Sequence, residues 1–378
     1  MKIAIIDTDH YFYIYSLVTL FGINDNEITI YTTPKIHSRC LDDLAGRKDI
    51  KYVVRGKNET WGDFLQKNVS EINTAGYGYV FFCPIYNFYK EHYHFIKKLT
   101  TLNILVIFNL NGWINPPLTK LKWFWPSWYK RKTLELFKWI AIDEHFHDHA
   151  IKLGCKNNIL HIPSLLYDEE YVSKRPPVKP PLKIIVPGSI HDERRDYEVV
   201  LNALEIVLSK RQDFEAVLLG DPIGKYGKEI QKKAELLNKK YGKHIISYYD
   251  KEYNDAEFLR QIVLGHFLIA PVLPAFDLDG ITEVYGTSKS TGSCFDILAY
   301  AIPGVFPSWL SVNKRFDSST LRYKNAQDLS ATILDFLEHP EKIVKLRENA
   351  VVNSSYYTVE NVRSRILSSI PPPKKYQS

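Results

Sequence analysis

Cysteine is scarce and scattered. The four copies in 378 residues, Cys40, Cys83, Cys155 and Cys294, lie far apart with no Cys-x-x-Cys pair. That spacing excludes a zinc knuckle and a disulfide framework, and reduced thiols in a cytoplasmic protein are the simplest reading. Long apolar runs are missing as well. Tyr11 to Phe21 is apolar, but Asp7, Asp9 and His10 precede it and no small-residue cleavage site follows, which speaks against a signal peptide. Every other apolar run is broken by proline or charge, far below the ~20 residues that span a bilayer. A soluble chain is expected, with peripheral attachment to a membrane as one option. Charge of one sign is also in short supply: 49 Lys and Arg stand against 43 Asp and Glu, a net charge of +6 with no basic stripe. Nucleic-acid binding is therefore not indicated. So small a surplus suits an enzyme handling phosphates or a protein touching an anionic surface, and it equally suits neither.

What the chain does have is an ordinary globular balance, 45% hydrophobic and 24% charged, which excludes wholesale disorder. No internal repeat of solenoid period occurs. In the first half, apolar runs at Lys2–Ile6, Ile28–Tyr31, Lys51–Val54, Tyr79–Cys83, Leu102–Phe108, Trp139–Ile142 and Ile159–Ile162 predict strands. Segments of helical spacing, such as Trp61–Ile72 and Lys90–Leu99, separate them. Strands apolar throughout, with helix-length intervals, predict a parallel sheet covered on both faces. The Arg175–Pro181 stretch, with four prolines in seven residues, then reads as a stiff linker. A second α/β series follows. Its predicted strands are Lys183–Val186, Ala216–Leu219, Ile245–Tyr248, Phe267–Ala270 and Gly304–Phe306, and its predicted helices include Tyr197–Lys210 and Gly292–Tyr300. The expected division is a first domain over 1–170, a linker over 171–181, a second domain over 182–355, and a C-terminal helix and disordered tail over 356–378. The fold class is thus α/β, two doubly wound, Rossmann-like domains facing across a cleft. Ligands of such sheets bind beyond the carboxyl ends of the strands.

The stretch Tyr285–Pro303 is the most informative. Glycine and small hydroxylated residues, with Ser288, Thr291, Gly292 and Ser293 among them, run directly into an apolar helix. Leading amides and the positive end of the helix dipole favour an anion there, and Gly292 permits close approach to the backbone. The alternative is a plain Ser/Thr helix cap. Upstream, a predicted strand ends at Pro187-Gly188-Ser189, and Arg194 and Arg195 follow before an amphipathic helix. Guanidinium groups suit diphosphate because their planar donors bind oxygens in pairs. Gly220 and Tyr249 also stand at strand ends, where a nucleobase or ribose would rest.

These residues resemble the donor domain of GT-B glycosyltransferases, particularly the retaining family 4 type. Gly188 and Arg195 stand at the family's glycine turn and basic residue; Leu219-Gly220, Ala270-Pro271 and Asp296–Pro303 match its later motifs. The likeness covers about residues 181–362. There are departures: Ser288 and Asp296 replace two glutamates eight positions apart, Ser189 replaces an arginine, and Asn111 replaces a first-domain histidine. The first loop, Asp7-Thr8-Asp9-His10, lacks the usual glycines. The resemblance implies a hexosyltransferase moving sugar from a nucleotide diphosphate sugar to a glycan, lipid-linked or other acceptor, with retention and without a metal or other cofactor. Arg194 or Arg195 and the amides of Thr291–Ser293 would then neutralise the diphosphate, and Asp296 would bond ribose or sugar hydroxyls. Asp9, His10 and Asn111 would face the acceptor, with His10 as the base if the reaction inverts. A nucleotide-sugar epimerase and a catalytically silent scaffold or regulatory subunit are the other classes considered.

Other signals carry less. Gly220–Tyr226 is one residue short of a P-loop, and no Gly-x-Gly-x-x-Gly follows the first strand. His145, His147 and His149 lack a nameable ligand set, so a solvated helix start is the better reading. Lys120–Trp139 interleaves Trp123, Trp125, Trp128 and Trp139 with six cations and one acid, Glu135. That composition fits either a packing surface with a basic rim or contact with a membrane or lipid-linked acceptor.

Overall fold

The computed structural model describes residues 1–8, 11–23, 26–44, 47, 49–242, 244–249, 255–278 and 280–372. A seven-stranded sheet holds β1 (Lys2–Asp7), β2 (Glu27–Thr32), β3 (Ile50–Val54), β4 (Tyr77–Phe82), β5 (Asn103–Val106), β6 (Trp139–Ile142) and β7 (Asn158–His161). All neighbours are parallel, in the order β3-β2-β1-β4-β5-β6-β7. The central strands β1, β4, β5 and β6 are apolar on both faces because helices cover both. Within β1, Ile3 and Ile5 join one core while Ala4 and Ile6 join another. The apolar run Tyr11–Phe21 is a buried helix of this domain.

The second sheet begins with β8 (Leu182–Pro187), β9 (Phe214–Leu219), β10 (Ile246–Tyr248) and β11 (Phe267–Ile269). An antiparallel hairpin, β12 (Ala275–Leu278) with β13 (Ile281–Val284), then projects from the sheet. The chain returns as β14 (Gly304–Pro307) and β15 (Thr320–Tyr323), giving the parallel order β10-β9-β8-β11-β14-β15. In each sheet the order reverses beside the first strand, which places the open crevice between β1 and β4 and between β8 and β11. Two doubly wound domains are present, as the alternation of strands and helices predicts. The hairpin and β15 were not anticipated: both are short and half-exposed, so they lack the continuous apolar run of a central strand.

The two domains share apolar contacts. One buried cluster runs from Ile3, Ile5 and Phe81 of the first domain through Ile297, Leu298 and Tyr357 to Ile185 and Leu268 of the second. The chain end makes this join. The helix Val359–Ser369 crosses back to the first domain, where Arg363 donates through Nε to the Leu20 carbonyl at 2.6 Å. Val362, Ile366 and Ile370 are buried, and the Pro371 carbonyl accepts from the Tyr79 hydroxyl at 3.0 Å. At the chain end the Ile370 side chain is buried, while Pro371 is exposed and held only through its carbonyl. Residues 373–378 lie outside the described residues. Replacing the fully buried Ile366 by alanine is expected to cost about 2–5 kcal/mol, read as a lowered urea midpoint at unchanged slope.

Candidate active site

The strand-end glycines of the second domain are set by contact. Gly188 has φ of 104°, and a side chain there would meet the Arg195 guanidinium at 2.3 Å. A side chain on Gly220 would strike the Gly188 carbonyl oxygen at 1.9 Å. These two residues and Arg195 thus lie together, with guanidinium stacked on bare backbone. The turn that carries both arginines is tied across the sheet's switch point: the Asp196 amide donates to Pro271, and the Leu273 amide donates to the Arg194 carbonyl, at 2.8 and 2.9 Å. Arg195 Nη1 lies 3.4 Å from both oxygens of Ser189, and its Nε is buried without a hydrogen-bond partner. Arg194 sits 4.3 Å from the centre of the Phe276 ring on β12.

The helix Gly292–Ala299 opens toward this group. Thr291 is its N-cap but makes no side-chain cap bond, the space beside Gly292 is empty, and the buried Ser293 hydroxyl has no partner. Asp296, one turn inside, is wholly buried, and desolvation pushes its carboxyl up to about 7 while the Arg195 charge opposes the shift. The Arg195 guanidinium and the start of this helix thus form one electrostatic group. Lys289 belongs to it as well. Only 7% exposed, its ammonium lies 4.2 Å from the Phe108 ring centre. Burial pulls it down to about 8; nearby Glu283 resists that change and Arg194 adds to it.

Residues 282–291 wedge into the first domain. Glu283 is fully buried and its carboxylate accepts from the Gly112 amide at 2.8 Å and the Asn111 amide at 3.4 Å. The Leu110 amide donates to the Ser288 carbonyl at 2.8 Å, and the Ser290 hydroxyl donates to Asp143, at the end of β6, at 2.8 Å. Burial pushes the Asp143 carboxyl up to about 7.

The expected site residues therefore divide. Gly188, Gly220 and Arg195 are in contact at the strand ends, with Arg194 on the same turn, and Asp296 of the helix that Thr291, Gly292 and Ser293 open lies within reach of the Arg195 charge. Ser288 is buried with its hydroxyl accepting from the Val284 amide at 2.9 Å, so it shapes the wedge from within. Tyr249 follows β10 at the sheet's edge, and its hydroxyl donates to Glu257 at 2.6 Å. The Asn111 amide group is committed to the seam, donating to the Thr282 carbonyl at 2.9 Å and lying 3.1 Å from His149 Nε2. Asp9 and His10 lie outside the described residues.

Two-domain chains of this shape are known. The chain superposes on the N-terminal domain of Candida albicans trehalose-6-phosphate phosphatase with a TM-score of 0.65 at 11% identity, covering 97% of this chain and 95% of that one. Sucrose-phosphate synthase from Thermosynechococcus elongatus gives 0.62 at 11%, covering 97% and 98%. A putative UDP-N-acetylglucosamine 2-epimerase from Listeria monocytogenes gives 0.62 at 13%, covering 97% and 95%. The architecture is GT-B. At these identities the likeness shows the fold alone, and no protein-family model or curated protein sequence matches the chain.

Three residues of the GT-B crevice escaped the sequence reading: Glu283, Lys289 and Asp143. Lys289 is the sole cation in Tyr285–Pro303, a signal that was there to be read. Glu283 stands in a short alternating run and Asp143 at a strand end, and neither position marks a partner in another domain. Among the described residues, no three His, Cys, Asp or Glu side chains gather as a metal site requires. His147 and His161 face each other instead, with ring nitrogens 3.1 Å apart. His145 is buried with its Nε2 unpartnered and its pKa driven down to about 4 by desolvation.

The raised Asp143 carboxyl has a sign. Unfolded, it ionises near about 4; folded, near 7. The folded state thus holds an extra proton between those values, and this residue's effect is to lower stability as pH rises through that window. Asp143→Asn, which keeps an acceptor for Ser290, is expected to gain stability over the native chain at pH 8 and to lose that gain by pH 4. Urea titrations of both chains across this range check it, with His145 cancelling in the difference.

Proposed function

We propose that the chain is a glycosyltransferase that binds a nucleotide diphosphate sugar along its second domain and moves the sugar to a glycan or lipid-linked acceptor at the first. The observation that supports this reading is that Arg194 and Lys289 act on each other electrostatically while Arg195, on the same turn as Arg194, acts on Asp296 in the first turns of the Gly292–Ala299 helix. Three cations beside a helix N-terminus match a diphosphate, and they would stabilise the charge that grows on it as the sugar–phosphate bond breaks. Such a site neutralises the leaving group with protein charges and calls for no metal. Asp296 is placed one turn deeper, where a neutral carboxyl can donate to a ribose or sugar hydroxyl. Retention follows from the family 4 resemblance, and the acceptor-side roles of Asp9 and His10 rest on sequence.

A nucleotide-sugar epimerase of the same fold is the second reading. It is favoured by two buried carboxyls, Asp143 and Asp296, both pushed up to about 7, since proton exchange at a sugar needs an acid and a base near neutrality. Incubation with donor alone separates the two: an isomerised donor marks the epimerase, whereas sugar found only on an added acceptor marks the transferase.

Arg195→Ala is expected to weaken nucleotide diphosphate sugar binding by about tenfold or more, the loss of a charge-assisted contact, with the ligand-free melting temperature little changed. A thermal-shift titration with donor reads this, and unchanged affinity would overturn the assigned pocket. Lys289 carries its charge below about 8 and sheds it above. Donor affinity should therefore fall as pH rises through that value, and Lys289→Arg should remove the fall.

A further inference from the structure

The helix Phe124–Leu134 is built inside out. Its inward side carries Ser127, Lys130 and Thr133, all buried, and Lys130 places its ammonium 4.7 Å from the Tyr89 ring centre. Its outward side carries Phe124, Trp125 and Arg131, with Trp128 half-buried against Tyr93 beside them. A surface helix ordinarily turns its apolar stripe toward the core. Here Trp125 is 63% exposed, Phe124 is 36% exposed, and Leu121 in the preceding turn is 93% exposed. Single exposed apolar residues need no explanation, but three within five positions form a knob. The rings of Phe124, Trp125 and Trp128 run on from one another, with successive centroids 5.3 and 6.2 Å apart.

The charge around the knob selects its occupant. Lys120, Lys122, Arg131 and Lys138 are exposed beside it. The one acid in Lys120–Trp139, Glu135, is occupied by Lys132 at 2.7 Å and Arg131 at 3.6 Å. A second copy of the same face would bring like charges together, whereas an anionic bilayer meets both features: rings enter the headgroup boundary and cations pair with phosphates. Among the described residues no helix is long and apolar enough to cross a membrane, so contact of this kind is superficial. The knob also sits at the rim of the crevice. Lys120 donates to the Gly280 carbonyl at 2.5 Å, and a side chain on Gly280 would touch the Trp123 indole at 3.0 Å.

We propose that Leu121, Phe124 and Trp125, ringed by Lys122 and Arg131, dock the chain on an anionic membrane surface beside the mouth of the cleft. Docking needs no nucleotide, so it stands or falls separately from the donor reading. Full-length chain is sedimented with vesicles of phosphatidylglycerol and phosphatidylcholine, and with phosphatidylcholine alone. Binding to the anionic vesicles, weakened by salt, is expected. The double variants Leu121→Ser/Trp125→Ser and Lys122→Glu/Arg131→Glu should each bind about tenfold more weakly or worse, at unchanged melting temperature. Three results would overturn the proposal: no binding to anionic vesicles, full binding by the apolar double variant, or a dimer in sedimentation velocity that this same variant splits.

Discussion

A buried carboxylate holds the cleft in shape. Glu283 has no exposed surface, and its two oxygens are taken by amides of Asn111 and Gly112 from the opposite domain. A charge so placed depends on those donors, on Ser288 and on the Lys289 ammonium nearby, since an unpaired one costs several kcal/mol, of order 3–5. Movement of one domain against the other at this seam would strip the carboxylate of its partners. The hairpin, the wedge through Ser290 and the first-domain loop therefore behave as one unit. That unit carries Lys289 toward the arginines.

The crevice concentrates groups held away from their ordinary titration. Asp143 and Asp296 are pushed up by desolvation and Lys289 is pulled down. Sites that must handle charge and protons accumulate such groups, because the low-polarity walls that strengthen useful interactions also penalise bare charge. The Arg195 guanidinium rests on Gly188 because that residue has no side chain, and any side chain there would displace it.

Much of the fold was legible along the chain. Runs such as Ile3–Ile6 and Leu182–Val186 are apolar on both faces, and only a sheet covered on both sides buries them. The glycine turn at Gly188 was legible for a related reason, since a positive φ and the close approach of Arg195 demand glycine there. The hairpin was harder. Its strands are four residues each and part-exposed, although Gly280 with a φ of 76° supplies its turn. Asn111, expected beside an acceptor, has its side chain bonded to Thr282 and beside His149 at the seam, contacts that no local pattern announces.

The sequence by itself determined the two parallel sheets, the order of their strands' apolar runs and the glycine turn with its two arginines, because these follow from local patterning and from chemistry within a few residues. Tertiary structure alone decided that Glu283, Ser290 and Lys289 reach across to Gly112, Asp143 and Phe108, and that the chain's last helix returns to the first domain. Those contacts join positions more than a hundred residues apart. Their energies arise from desolvation and pairing in a shared interior, which no local pattern of residues encodes.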